Sequence, residues 1–253
     1  MTHRVLITAG GGGIGRAMGT AFAEAGAQVW VCDADAAALA GCPADWRRDR
    51  VDISDEAEVA ALFGRVAADW GGLDVLCCNA GIAGPTARIE DVALADWRAC
   101  MAVNLEGAFL CTKHAAPMLV AGGSGAIVYT SSTAGQYGFP NRAPYAASKW
   151  GLHGLMKTAA MELGPHGVRA NAICPGAVEG PRMEGVLERE AAIKGTTRDA
   201  IYRGYAAGTS MRSFVTAQDI AAMAVFLGSP AARRVSGQIV AVDGHTENPD
   251  PRA

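Results

Sequence analysis

Two rhythms of apolar residues alternate along the chain. Short apolar runs read as strands with both faces buried: Val5-Leu6-Ile7, Gln28 to Cys32, Leu73 to Cys78, Ala126 to Thr130, Val168 to Cys174 and Gln238 to Val242. Arg50-Val51-Asp52-Ile53 reads as the end of one more strand, the third in order. Between them apolar positions recur at three- and four-residue steps, as on helices with one buried face. Ala17, Met18, Ala21, Phe22 and Ala25 form the first such set, and Val59, Leu62, Phe63 and Val66 another. Trp150, Leu152, Leu155, Met156, Ala159 and Leu163 form a long one. A short alanine-rich helix closing at Gly41, a long helix from about Leu94 to Val120 and a helix over Ala217 to Leu227 complete the set. Gly26, Gly71-Gly72 and Gly164-Pro165 stop helices, and Ser54 or Asp55 starts one.

Composition narrows the picture. The 253 residues are half hydrophobic with a net charge of −3, which fits a globular chain with a sizeable core. No basic run offers nucleic acid an electrostatic footprint. No apolar run reaches the roughly 18 residues of a membrane span, and the N-terminal stretch lacks a signal-peptide pattern. Of seven cysteines only Cys77 and Cys78 are close, and adjacent cysteines make a poor metal site. No metal is expected; buried reduced thiols and a cytoplasmic location are. No repeat or linker divides the chain, so 1–253 reads as one domain. Residues 181–213 are charged, only partly helical and too long for a plain connection, so they read as a mobile lid. The tail over 245–253, with Pro249 and Pro251, is expected to be loose.

Candidate chemistry sits at the joints between the two rhythms. Thr8-Ala9-Gly10-Gly11-Gly12-Gly13-Ile14-Gly15 joins the first strand to the first helix. Glycines let the backbone approach a phosphate, and the helix N-terminus offers N–H donors; a glycine run by itself can also be a flexible loop. Asp33 ends the second strand near the ~20-residue spacing at which an acidic residue meets an adenosine ribose. It can also cap the helix starting near Ala36. Asn79-Ala80-Gly81 ends the fourth strand at the sheet edge where open α/β folds bind ligands. Tyr145 and Lys149 lie four apart on a helix, on one face and about 6 Å apart at Cβ. An ammonium beside a phenol stabilises the phenolate and suits the tyrosine to general acid–base work. Such pairs are also common on helix surfaces, and Asn104 in mid-helix can be a tolerated polar residue.

Taken in order, these motifs resemble the short-chain dehydrogenase/reductase family from about Arg4 to Gly244. Thr8, Ala9, Gly13 and Gly15 fall on its Thr-Gly-x-x-x-Gly-x-Gly motif, and Cys78-Asn79-Ala80-Gly81 on its Asn-Asn-Ala-Gly. The resemblance implies a single doubly wound Rossmann-type α/β domain. Its seven-stranded, mainly parallel sheet would run in the order 3-2-1-4-5-6-7, with helices on both faces. It implies NAD as cofactor, held by Gly10, Gly13, Ile14, Gly15, Asp33, Asp52, Ile53, Asn79, Ala80, Gly81, Tyr145, Lys149, Pro175, Gly176 and Val178. It implies Asn104, Ser132, Tyr145 and Lys149 as a catalytic set. Tyr145 would move the proton, Ser132 polarise the substrate oxygen, and Lys149 lower the tyrosine pKa. Asn104 would anchor a water leading to Lys149. The reaction is then hydride transfer to or from a small-molecule alcohol or carbonyl compound in a homotetramer. Gly84, Gln136, Tyr137, Asn141, His153 and Arg182 are expected near the reactive centre, a polar set that points to a sugar, polyol or hydroxy acid. The alternative is a nucleotide-binding regulator without turnover, against which the intact Ser-Tyr-Lys set speaks. There are three departures. Ala9 replaces the motif's first glycine and should fit only by avoiding positive φ. Cys78 replaces an Asn. Gly180 stands where a Thr often bonds the carboxamide, a task left to the backbone of Ala177 and Val178.

Overall fold

The computed structural model describes residues 3–249. Seven strands form one parallel sheet in the order β3-β2-β1-β4-β5-β6-β7. They are β1 (Arg4–Thr8), β2 (Gln28–Asp33), β3 (Arg47–Arg50), β4 (Val75–Cys78), β5 (Gly125–Thr130), β6 (Val168–Pro175) and β7 (Ile239–Val242). Side chains alternate along the strands, so the inner strands feed two cores. Leu6, Leu76, Ile127 and Tyr129 face one; Val5, Ile7, Cys77 and Val128 face the other. Helices α3 (Glu56–Trp70), α5 (Gly107–Ala121) and α6 (Ala143–Leu163) cover the first face through Leu62, Phe63, Leu119, Leu152 and Met156. Helices α1 (Gly13–Glu24) and α9 (Ala217–Gly228) cover the second through Met18, Phe22, Ile220 and Leu227. The strand order reverses between β1 and β4, which opens a crevice at their C-terminal ends. Arg4 locks the opposite end, with a two-pronged bond to Asp74 at 2.8 and 2.9 Å.

Several elements depart from the sequence expectations. The third strand lies earlier than the apolar Val51-Asp52-Ile53 and is wholly charged, Arg47-Arg48-Asp49-Arg50. It is an edge strand, where charge is tolerated, and Asp49 is held by Trp30 Nε1 at 2.7 Å and Arg65 at 3.0 Å. The short helix α2 (Ala36–Ala40) is capped by Asp35, not Asp33. The long helix splits into α4 (Leu94–Met101), a π turn over Ala102–Glu106, and α5. The charged stretch after residue 180 is mostly helical: α7 (Pro181–Lys194) and α8 (Arg198–Ala207) share a small core of Leu187, Ala191 and Ile201 with Tyr205 and Phe214. The tail makes backbone hydrogen bonds as far as Asn248. His245 and Gly244 carbonyls accept from Ser210 and Met211 N–H, and Gly208 O accepts from Glu247 and Asn248 N–H at 2.8 and 3.0 Å. Expectations for residues 250–253 lie outside the described residues. All seven cysteines are free and buried. Among the described residues no helix is long and apolar enough to cross a membrane, and no cluster suits a metal ion.

Candidate active site

A cavity of about 500 Å³ opens at the carboxyl ends of the strands. At one end lies the glycine-rich turn, whose glycines divide by what a side chain would meet. A Cβ on Gly10 would strike Val31 at 2.5 Å, and one on Gly15 would strike Ala9 O at 2.1 Å. These two serve packing. Gly12 and Gly13 meet nothing within 4 Å and line the cavity with Ile14. Helix α1 starts there with no side chain capping its first N–H groups and no acid in its first turn. That is a fit for a phosphate-bearing cofactor. Ala9 does adopt positive φ, +49°, contrary to expectation. The strain is held by Asn79, whose Nδ2 donates to Thr8 O and Ala9 O at 3.2 and 3.3 Å. Thr8 Oγ1 accepts from Asn79 and Ala80 N–H, both at 3.0 Å. Asn79 and Ala80 therefore brace the turn, and Asn79 also lines the cavity.

Asp33 lies on the cavity wall and grips the turn, accepting from Gly11 N–H at 3.1 Å and Asp35 N–H at 3.0 Å. Arg16 points elsewhere, bonded to Gly41 O at 2.8 Å and stacked over Trp46. Asp52 and Ile53 are not among the cavity-lining residues. Asp52 accepts from Ser54 through both its hydroxyl and its N–H, which holds its carboxyl below the usual range. Ile53 is buried against Gly107, where a Cβ would come to 2.3 Å.

At the other end, β5 runs into Ser131 and Ser132. Ser132 starts the short turn Thr133–Gly135 and accepts from Ala134 N–H at 3.1 Å. It faces the first turn of α6, where Tyr145 and Lys149 lie one turn apart. Lys149 is buried and donates to Thr130 O at 2.8 Å. Its ammonium stands 5.7 Å from the Tyr145 ring centre. Burial would raise the Tyr145 pKa, but Lys149, Arg182, a hydrogen bond with Ser132, and Arg142 together bring it below the usual phenol value. Lys149 is lowered in turn, by burial first, with Tyr145 opposing. Each group thus favours the charged form of the other, the ammonium the phenolate and the phenolate the ammonium.

Asn104 occupies the π turn and is fully buried. Its Oδ1 accepts from Ile82 N–H at 2.7 Å, and its Nδ2 donates to Ile82 O at 3.1 Å and Ser148 Oγ at 3.0 Å. Gly81 separates it from Lys149: a Cβ there would lie 3.1 Å from Asn104 Oδ1 and 3.3 Å from Lys149 Nζ. So Asn104 fixes the strand-end loop against α6. Pro175, Gly176 and Val178 line the cavity after β6. Ala177 O and Glu179 N–H pair with Val215 at 3.0 and 2.9 Å, which leaves Val178's own N–H and C=O without a protein partner among the described residues. Gly180 has φ +137°, so a Thr there would be strained.

Of the polar residues expected near the reactive centre, only Arg182 lines the cavity. Gly84 packs on Cys100, His153 is buried beside Cys174, and the Tyr137 hydroxyl donates to Thr246 O. Asn141 sits in a turn at φ +62°. The residue beside it, Arg142, lines the cavity instead, with Phe139, Met183, Val186, Thr246 and Asn248. No periodicity or motif marks these residues; they meet only when α7, α8 and the tail fold over α6.

A family model described as Enoyl-(Acyl carrier protein) reductase matches residues 9–245. Cis-4-hydroxycyclohexanecarboxylate dehydrogenase of Sinomonas cyclohexanicum is 38% identical over 247 residues, 94% of each chain. The 2,5-dichloro-2,5-cyclohexadiene-1,4-diol dehydrogenase of Sphingobium indicum is 34% identical over 245 residues, 95% of each chain. The crystal structure of NAD+-bound xylitol dehydrogenase superposes with a TM-score of 0.93 at 28% identity, covering 96% of this chain and 98% of that one. The seven-stranded parallel sheet agrees with the structural match, and the chain belongs to the short-chain dehydrogenase/reductase family of oxidoreductases.

Proposed function

We propose that the protein catalyses reversible, NAD-dependent oxidation of a secondary alcohol to a ketone, with Tyr145 as the proton-transfer group. The observation that carries this reading is the Tyr145 phenol, held below its usual pKa at the mouth of a cavity whose far end suits phosphates. The nicotinamide, when bound, supplies the hydride-accepting carbon. The chain's own residues do the rest. In oxidation the Tyr145 phenolate takes the carbinol proton. Ser132 Oγ donates to the same substrate oxygen and holds it in place. Lys149 stabilises the phenolate, and its bond to Thr130 O fixes the ammonium. Asn104 keeps Gly81 and Ile82 close against Lys149. Val178's backbone N–H and C=O would hold the carboxamide. Phe139, Met183 and Val186 limit water around the reacting oxygen.

Asp33 favours NAD over NADP. Its carboxylate would accept from a ribose hydroxyl and repel a 2′-phosphate, and Arg16 is turned away from it. Assembly into a homotetramer is supported by exposed Leu94, Phe109, Trp150 and Met161 along α4, α5 and α6. Buried free thiols suit a reducing, cytoplasmic setting.

The test is NADH formation with a panel of secondary alcohols and NADH consumption with the matching ketones. Turnover is expected with NAD, with kcat/KM about tenfold or more above that with NADP. Equal values for the two would remove Asp33 from cofactor choice. No turnover in either direction would leave the regulator reading in its place.

A further inference from the structure

Arg142 stands three residues before Tyr145 and is unusual among the arginines. Its side chain is only 8% exposed. Among the described residues Nε has no hydrogen-bond partner. Nη2 makes one bond, 3.3 Å to Ala83 O. Nη1 lies 4.0 Å from Glu190 Oε1, and that oxygen already accepts from the Tyr205 hydroxyl at 2.8 Å. A guanidinium has five N–H donors, and a buried cation left underbonded is costly. A site that retains one is built for an acceptor from outside.

The surroundings identify the acceptor's charge and place. The Arg142 guanidinium lies 4.9 Å from the Tyr145 ring centre, and Arg182 comes within 6.0 Å of the same ring. Among the described residues Arg182 makes no ion pair, and Lys149 is committed to Tyr145 and Thr130 O. The carboxylates nearby are Glu190, shared with Tyr205, and Glu179, which accepts from Tyr202 at 2.8 Å. The reacting end of the cavity therefore carries excess positive charge. The phosphate-fitting turn at Gly12 and Gly13 has its own donors, the uncapped N–H groups at the start of α1, and does not need Arg142. Phe139, Met183 and Val186 make the wall between apolar.

We propose that Arg142 is a specificity-determining anchor for a carboxylate on the substrate, so that the enzyme acts on hydroxycarboxylates and their oxo forms across a short hydrocarbon frame. This rests on the dehydrogenase reading above. The planar fork of Arg142 suits two carboxylate oxygens, with Arg182 adding charge. The hydroxyl then falls to Tyr145 and Ser132.

The experiment compares each hydroxy acid with its neutral amide: cis- and trans-4-hydroxycyclohexanecarboxylate and 3-hydroxybutyrate against the matching carboxamides. Wild type should favour at least one acid over its amide by about tenfold or more in kcat/KM. In Arg142→Met that acid-to-amide ratio should collapse by roughly thirtyfold or more, mostly through KM, and Arg142→Lys should restore part of it. If Arg142 served only to depress the Tyr145 pKa, acid and amide would fall together and the pH profile would shift for both; that result overturns the proposal. So does a wild-type preference for amides. Should Arg142→Met fail to fold, titration of wild-type enzyme with NADH bound decides. Cyclohexanecarboxylate must bind more tightly than cyclohexanecarboxamide, and equal affinity rejects the anchor. Turnover of neutral cyclohexanol without preference for acids would sink the anchor and leave the dehydrogenase reading standing. Absence of any turnover would sink the dehydrogenase reading itself.

Discussion

That Tyr145 and Lys149 share one face was legible because a four-residue step on a helix already places two side chains there, but the step by itself does not separate them from a common surface pair. What the step alone does not contain is the rest of the electrostatics: Arg142, at the start of the same helix, and Arg182, from α7, converge on the same ring. Ala9 is a second case. Its positive φ depends on the close packing of Gly15 and the two bonds from Asn79, neither visible in a run of small residues. The Tyr145 reading predicts a pH dependence. Alcohol oxidation needs the phenolate, so the rate should climb as pH rises through the Tyr145 pKa. Because that pKa is lowered, the climb should come below the pH of about 10 at which a free phenol ionises. Lys149→Met removes the largest stabilising cation and should move the climb to higher pH, cutting turnover at neutral pH by orders of magnitude. Tyr145→Phe should abolish turnover while leaving NAD affinity close to wild type. A tenth or more of wild-type kcat in Tyr145→Phe would show that another group moves the proton.

At the scale of elements, the buried strands and the amphipathic helices could be read directly, because their burial is written as period. β3 could not, and α7 and α8 only in part. β3 is charged throughout and is a strand only because β2 offers it a pairing edge. Helices α7 and α8 are hidden by charge: Arg198 bridges Glu184 at 2.5 Å across the pair, and their few apolar residues complete a core only with Phe214. A separate small core and an N-terminal hinge at Gly180 suit a unit that moves against the sheet. We expect amides over Pro181–Ala207 to exchange hydrogen faster than those of α6 in the enzyme without ligands, and to slow by about tenfold or more with cofactor and substrate bound. Identical exchange in both states would make α7 and α8 a fixed wall.

On the scale of the whole molecule, the cavity joins pieces far apart in sequence, and its last wall comes from the tail. Thr246, Asn248 and Pro249 line the cavity, although the prolines and polar residues there read as a loose end. Three backbone links explain the difference. Ser210 N–H donates to His245 O, and Glu247 and Asn248 N–H both donate to Gly208 O, so the tail clamps the end of α8. Asp243 caps the turn, accepting from His245 and Thr246 N–H at 2.9 and 3.0 Å. These bonds are mutual: the tail has order because α8 is in place, and α8 is positioned in part by the tail. Deleting residues 246–253 leaves β7 and both main cores intact, so the protein should still fold. It should, however, release the C-terminal end of α8 and with it Tyr205, whose hydroxyl holds Glu190 near Arg142. The KM for the alcohol should then rise by roughly tenfold or more, with a smaller change in NAD affinity, because the glycine turn and Asp33 lie on the far side of the cleft. Unchanged KM in the shortened protein would mean that the tail only fills space at the rim and that α8 is positioned by its own core.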